Sequence, residues 1–418
     1  MKLAIQLSIL ASLNIGTGFL YQWYVFTQLG PGMETDALFA GMTVPQVVLA
    51  IVTGSLMHVL VPLLAGEDEN RLRRDAWGVL ALISGLFSLL AVILYLTAPW
   101  WVPLTVPGFE PAGKCLTVIL TRVQLVGMVF SAVSSVQWAV YHARQHFLWA
   151  ELTPVLASIS GLLLLVWALP HFGVIAAAWI ATIRMGLQAL FLAPGMGKPV
   201  FPDLKNSAVR EAWHRIRPLL LGSVYFKTEP LVDRFLLSWA TSGSLSLFFL
   251  AQRLFGAVNQ ICNKAIVAPL VPKLSKYHKS GSKRQFRAMY LKNLWLMIIL
   301  GLAGLVILGL VGDQLLAFLI GHGNITRENV RDLWWIMIWL GGALVGGMVG
   351  QVTSSTFYAC GNTVTPTKLG ICSYSLYVPS KAVSFFFWGI KGLAISTSVY
   401  YLVNLLFQIY FLEKEQPS

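Results

Sequence analysis

The sequence predicts an all-α integral membrane protein, with about twelve transmembrane helices in two six-helix lobes related by a pseudo-two-fold axis. Three observations carry that prediction. Hydrophobic residues make up 56% of the 418 and charged residues 11%, with a mean hydropathy of +0.70, whereas a soluble domain carries about 25% charged residues. Apolar runs of about 20 residues, long enough to cross a bilayer, recur along the chain. Lys and Arg collect in alternate loops between those runs, the bias that sets membrane topology.

The spans follow in order. The first, about 3–29, begins after Lys2 as a signal peptide would, but it exceeds an h-region of about 7–15 residues and reads as a retained helix. The second, about 36–64, leads into Arg71, Arg73 and Arg74. The third and fourth, about 74–99 and 115–141, are followed by Arg144. The fifth and sixth, about 147–169 and 172–194, lead into Lys198, Lys205, Arg210, Arg215 and Arg217. The seventh and eighth cover about 213–240 and 244–272. After them comes the basic loop KLSKYHKSGSKRQFRAMYLK at 273–292, which sets topology or meets anionic lipid. The last four cover about 288–311, 331–358, 364–388 and 391–412. Each is a helix because a backbone in lipid must satisfy its hydrogen bonds within its own segment. A β-barrel would show short alternating strands instead. The opposite loops hold Lys114, Arg327, Arg331 and Lys391, so both termini are expected in the cytoplasm and the span number is even.

The chain also repeats itself. LVPLLA at 60–65 returns as LVPKLS at 270–275, TPVLASISG at 153–161 as TPTKLGICS at 365–373, and FGVIAAAW at 172–179 as KGLAISTS at 391–398. Their common order divides the chain into an N-terminal lobe (1–194), a cytoplasmic linker (195–212) and a C-terminal lobe (213–418). Two such repeats point to a midplane substrate site between lobes and to alternating access.

Four segments resemble the MurJ (MviN) lipid II flippase family of the MOP, or MATE-like, superfamily. LGPGMETDALFAGMTVPQVVLAIVTGSLMHVLVPLL (29–64) is similar to the family's second helix, with its glycine-rich turn, Asp-Ala pair, proline and closing Val-Pro. GSLSLFFLAQRLFGAVNQICNKAIVAPLVPKLSK (243–276) resembles the eighth helix, its Ala-x-Arg-Leu core matching Ala251 to Leu254. IGHGNITRENV (320–330) and FYACGNTVTP (357–366) resemble the segments before and after helix ten. The resemblance implies a flippase that moves a polyprenyl-diphosphate-linked glycan, lipid II or a polysaccharide repeat unit, from the cytoplasmic to the periplasmic leaflet of the bacterial inner membrane. It differs from the family pattern in SLNIGTGFLYQWYVF (12–26) and after Pro45, where family members carry arginines that engage the lipid headgroup.

Charges inside spans mark a wet cavity or a partner, since each costs about 2.5–3.5 kcal/mol at mid-bilayer on insertion scales. Arg253 and Lys264 lie eleven residues apart, close to three helical turns or about 16 Å along one face, which suits an extended anionic ligand such as a diphosphate. Glu229 and Asp233 share a face at i,i+4, and Lys227 and Arg234 share another. Pro230 between them removes a backbone hydrogen bond. The two acids are candidates for binding a coupling Na+ or H+. Internal ion pairing, with Lys227, Arg234 or Lys381 as partners or gates, is the competing reading. Asp36 serves the substrate, a helix cap or a gate. Asn14, Thr17 and Gln22 meet sugar hydroxyls or bridge helices. Arg122 and Arg184 fit snorkelling to an interface as well as a cavity.

Other functions find little support. Cys115, Cys262, Cys360 and Cys372 stand singly without metal-ligand spacing. No HExxH, GxSxG or GxxxxGK occurs, so neither enzyme chemistry nor direct use of ATP is expected. The net charge of +13 reflects cytoplasmic loops and not a nucleic-acid partner. Expected partners are the lipid-linked glycan and membrane lipids, with the chain acting as a monomer and without a cofactor. The rival readings are a cation-coupled multidrug antiporter of the MATE type, which requires an acidic cavity, and a membrane glycan-transfer enzyme. The latter requires an acid or His cluster where the 313–332 loop offers Asp313, His322, Glu328 and Asp332.

Overall fold

The structure, a computed structural model, describes residues 2–65, 68–201, 210, 211, 214, 225 and 227–415. Among them every regular element is helical. The order is α1 (Lys2–Leu29), α2 (Met33–Gly41), α3 (Thr43–Leu64), α4 (Glu69–Thr105), α5 (Pro111–Ala143), α6 (Phe147–Leu192), α7 (Glu229–Leu237), α8 (Ser244–Cys262), a π segment (Asn263–Val267), α9 (Ala268–Lys279), α10 (Lys283–Ile320), α11 (Arg327–Trp339), α12 (Gly341–Ala359) and α13 (Val364–Glu415). Most of the expected 195–212 linker and the first half of the expected 213–240 span lie outside the described residues.

Among the described residues six helices are long and apolar enough to cross a membrane, and a seventh span arises if α11 and α12, bent by 46°, count as one. Two of the six are double. At Gly173 (φ 59°) and at Gly389 (φ 57°) the backbone leaves helical geometry, a conformation open to glycine because it lacks Cβ. α6 and α13 therefore fold back on themselves. The Trp149 indole N–H reaches the Phe191 carbonyl at 3.1 Å, and the Tyr377 and Thr397 hydroxyls meet at 2.9 Å, as antiparallel limbs require. In the third sequence echo the turning glycine directly follows Phe172 in the first hairpin and lies two residues before Lys391 in the second.

Contacts group the chain into two compact units, Met1–Leu245 and Ser246–Ser418. In the first, Leu56, Leu60 and Leu64 of α3 pack with Val79, Ile83 and Phe87 of α4 and with Met128, Ala132 and Val136 of α5. A second cluster joins Val25 of α1 and Leu38 of α2 to Leu165, Leu169 and Ala177 on both limbs of α6. The Gly-Pro-Gly turn before α2 is tied by Thr35, whose hydroxyl accepts the Gly32 N–H at 2.9 Å and donates to the Gly30 carbonyl at 3.0 Å. In this way the chain enters α2 in one direction, and Asp36 in its first turn is placed.

In the second unit, the glycine-rich face of α12 lets helices approach closely. A Cβ on Gly346 would lie 2.9 Å from Tyr401 of α13. At the break between α11 and α12, Ser398 satisfies the backbone that the bend frees. Its hydroxyl donates to the Trp339 carbonyl at 2.6 Å and accepts the Ala343 N–H at 3.2 Å.

Candidate functional site

A polar cavity of about 480 Å³ lies within the first unit. Four helical faces converge on it. α5 contributes Ser131, Ser134, Ser135 and Trp138, spaced i, i+3, i+4 and i+7, and so aligned on one face. The first limb of α6 contributes Glu151 and Ser158, the second limb Arg184 and Gln188, and α1 contributes Asn14. The fold at Gly173 brings Arg184 opposite Ser158, 26 residues earlier in sequence.

The guanidinium of Arg184 is positioned from three sides. Its Nη1 lies 3.4 Å from Ser158 Oγ. The Tyr21 ring sits 5.6 Å below its Cζ, and that ring is anchored by its hydroxyl on the Ala177 carbonyl at 2.8 Å. The aliphatic stem runs along Gly161, where a Cβ would come within 3.2 Å of Arg184 Cβ and Cγ. Arg184 Nε is buried with no hydrogen-bond partner among the described residues. A buried donor without a partner costs about 1–3 kcal/mol, so the site favours an added acceptor. Trp138 is fixed by its indole N–H on the Ala150 carbonyl at 3.1 Å. Ser134 and Ser135 donate to the carbonyls of Phe130 and Ser131 at 2.9 and 2.8 Å, which leaves their oxygens as acceptors. One guanidinium, two amides, a carboxyl group, several hydroxyls and an indole face can together hold an anionic group and hydroxyl-bearing sugar.

A second cluster in the same unit surrounds Arg234. Asp36, Asp233 and Arg234 are 3%, 1% and 4% exposed, and the charges acting on Arg234 are those of Asp233 and Asp36. Asp36 Oδ2 accepts the Gly243 N–H at 2.7 Å. Tyr225 and Lys227 are helical, Thr228 forms a turn and α7 begins at Glu229, so Pro230 stands at a break between helical segments. The proline falls in the first turn, where its missing N–H costs no helical hydrogen bond. Glu229 is half-buried and Lys227 exposed, so Lys227 and Arg234 differ in environment.

The remaining expected site residues belong to the second unit. Arg253 and Lys264 are exposed. The helix between them turns π at Asn263, so their spacing is not that of an uninterrupted α-helix. Arg253 Cζ lies 5.8 Å from the Phe249 ring. Lys381 is fully buried, its Nζ 4.7 Å from the centroid of Tyr377, and Tyr377 stacks on Tyr400 at 4.3 Å. Arg122 is not among the residues lining the polar cavity and donates to the Tyr95 carbonyl at 3.2 Å. Thr17 bonds back to the Leu13 carbonyl at 2.9 Å, the helix-internal arrangement. All four cysteines carry free thiols, and among the described residues no three His, Cys, Asp or Glu side chains gather as metal ligands.

Of the residues the sequence singled out, the polar cavity unites Asn14 and Arg184. It also contains the α5 serines, Trp138 and Gln188, which sequence reading missed. Their signal was a polar stripe at helical spacing within an apolar span, with Gln188 one turn after Arg184.

Helical spans folded into hairpins and a polar cavity inside one helical unit define an all-α integral membrane protein of the transporter type. A family model described as lipid II flippase MurJ matches residues 25–417, and the chain belongs to that family. It is 22% identical to the probable lipid II flippase MurJ of Buchnera aphidicola subsp. Acyrthosiphon pisum over 420 residues, covering 97% of this chain and 82% of the relative. It is 23% identical to the lipid II flippase MurJ of Burkholderia cenocepacia over 424 residues, covering 96% and 82%. Its fold matches a lipid II flippase MurJ in an inward closed conformation with a TM-score of 0.83 at 18% identity, covering 98% of this chain and 87% of the other. An inward-facing multidrug MATE transporter of the MOP superfamily matches with a TM-score of 0.77 at 18% identity, covering 97% and 94%.

Proposed function

We propose that the chain moves a polyprenyl-diphosphate-linked glycan, such as lipid II or a polysaccharide repeat unit, from the cytoplasmic to the periplasmic leaflet of the bacterial inner membrane. The observation that carries this reading is the family match, which runs through residues 25–417. The polar cavity supports it: Arg184 supplies a guanidinium from α6 where helix one and the start of α3 have none. A guanidinium holds phosphate oxygens as a fork, and Trp138 with the surrounding hydroxyls and amides suits sugar. Arg253 and Lys264 are further candidates for the diphosphate. Alternating access is the transport mechanism, with Asp233 and Glu229 as the groups that bind a coupling Na+ or H+. Both termini lie in the cytoplasm, and the chain works as a monomer.

A second reading, a cation-coupled multidrug antiporter, is favoured by one observation, the Glu151 carboxyl among the cavity residues. Reconstitution in liposomes separates the two. A fluorescent polyprenyl-diphosphate glycan should cross the bilayer with the wild-type chain. Arg184→Ala should slow it about tenfold or more, the loss of one hydrogen bond to a charged group. Transport of an organic-cation dye with no movement of the glycan lipid overturns the flippase reading. Normal glycan transport by Arg184→Ala overturns the site and leaves the function standing.

A further inference from the structure

A second cavity, of about 770 Å³, runs along α13 within the second unit, a volume typical of a small-molecule site. Both limbs of the hairpin line it. Val399, Val403 and Phe407 give it an apolar wall, and these side chains are exposed. At the end where the chain turns at Gly389 stand Trp388 and Lys391. Trp and Lys together are the anchors of a membrane interface. Lys391 Nζ is held 5.8 Å from the centroid of Trp339, and it forms no ion pair among the described residues. The groove lining includes no acid, and Lys391 is its one charged residue.

Ser373 gives an independent sign of a ligand. It lines the groove and is 7% exposed, yet its hydroxyl has no hydrogen-bond partner among the described residues. Buried hydroxyls are normally paired, with protein or with something bound. Tyr377 meets Thr397 across the hairpin, so Ser373 lies deep in the trough beside Val399 and Val403. An apolar trough with one cation at the end where the chain turns matches the acyl chain and phosphate of a lipid.

We propose that this groove binds an anionic glycerophospholipid, its phosphodiester against Lys391 and an acyl chain along Val399, Val403 and Phe407. Charge decides between lipids. One lysine balances the single charge of a phosphodiester. A diphosphate-linked glycan carries more charge and many hydroxyls, for which the groove offers no further cation. The site is thus separate from the polar cavity of the first unit and independent of what the protein transports.

Native mass spectrometry of the detergent-purified full chain tests this with phosphatidylglycerol, phosphatidylcholine and polyprenyl diphosphate. Phosphatidylglycerol should be retained in preference to phosphatidylcholine. Lys391→Ala should weaken phosphatidylglycerol about fivefold, as expected for one lysine beside an anionic lipid, and leave phosphatidylcholine unchanged. Val399→Trp, which fills the trough, should lower retention of both phospholipids. Equal retention of the two phospholipids by wild type overturns the proposal, as does undiminished phosphatidylglycerol on Lys391→Ala. Displacement of phosphatidylglycerol by an equal concentration of polyprenyl diphosphate overturns it too. Should Val399→Trp fail to fold, the Lys391 comparison decides alone.

Discussion

Asp36 Oδ2 accepts the backbone N–H of Gly243 at 2.7 Å, joining the first turn of α2 to the turn before α8 across 207 residues. Both residues are buried, and the same carboxylate acts on the buried Arg234. One acid therefore has two tasks: it satisfies a backbone donor and, together with Asp233, it offsets the charge of Arg234.

Substitution separates the two tasks. Asp36→Ala leaves a buried N–H without its acceptor and removes a charge beside Arg234, at a cost of about 1–3 kcal/mol for the unsatisfied group alone. Asp36→Asn keeps an acceptor oxygen and loses only the charge. The melting temperature followed by tryptophan fluorescence in detergent should fall furthest for Ala and partway for Asn. Identical values for both variants and wild type would show that neither task matters to the fold.

The hairpin tips give a conformational test free of packing. A Cβ at Gly173 or Gly389 meets nothing within 4 Å, so alanine there costs only the backbone conformation. That conformation, positive φ with ψ of −149° and −139°, is essentially reserved for glycine and worth about 1–3 kcal/mol at each tip. Gly173→Ala and Gly389→Ala should each lower thermal stability by a similar amount. Asn, which is favoured only where φ and ψ are both positive, should recover none of it. A loss confined to one tip contradicts the equivalence of the two hairpins.

The helices were legible in the sequence for the same reason that they form. Lipid demands long apolar runs with internal hydrogen bonds, so hydropathy alone places α5 within a few residues and the central parts of α4 and α10. What hydropathy cannot see is direction. Whether Arg184 points to an interface or a cavity depends on the Gly173 fold bringing Ser158 and Gly161 against it, and span limits do not encode that pairing. The α5 serines were illegible for another reason: a serine that bonds back to its own helix, as Ser134 does, looks the same in sequence whether it lines a cavity or faces lipid. Asp36 and Lys381 stood out as charges costly in lipid, and both side chains are buried within the protein. Pro230 was legible as a helix interruption, and it lies in the first turn of α7 directly after the turn at Thr228.

Ser398 predicts a local effect. It holds the Trp339 carbonyl and the Ala343 N–H at the α11–α12 break, so Ser398→Ala exposes two orphaned groups at one bend. Hydrogen exchange measured by mass spectrometry should accelerate in peptides covering 339–346, while exchange in α5 stays unchanged. The expected destabilisation is about 1–2 kcal/mol. Unaltered exchange at the bend means that the break is held by packing alone.

Gly161 offers a way to disturb Arg184 without touching its charge. The stem of Arg184 lies so close to Gly161 that an added Cβ would sit 3.2 Å from two of its carbons and 3.3 Å from a third. Gly161→Ala requires a shift of a few tenths of an ångström in a flexible side chain, and glycan-lipid transport should remain near normal. Gly161→Val demands more and should swing the guanidinium away from Ser158, with a loss approaching the tenfold expected of Arg184→Ala. Two substitutions that act through one group are not additive. In the Arg184→Ala background, then, Gly161→Val should cause little further loss of transport. If the two losses multiply instead, Gly161 acts through helix packing rather than through Arg184, and the cavity assignment loses its positional support.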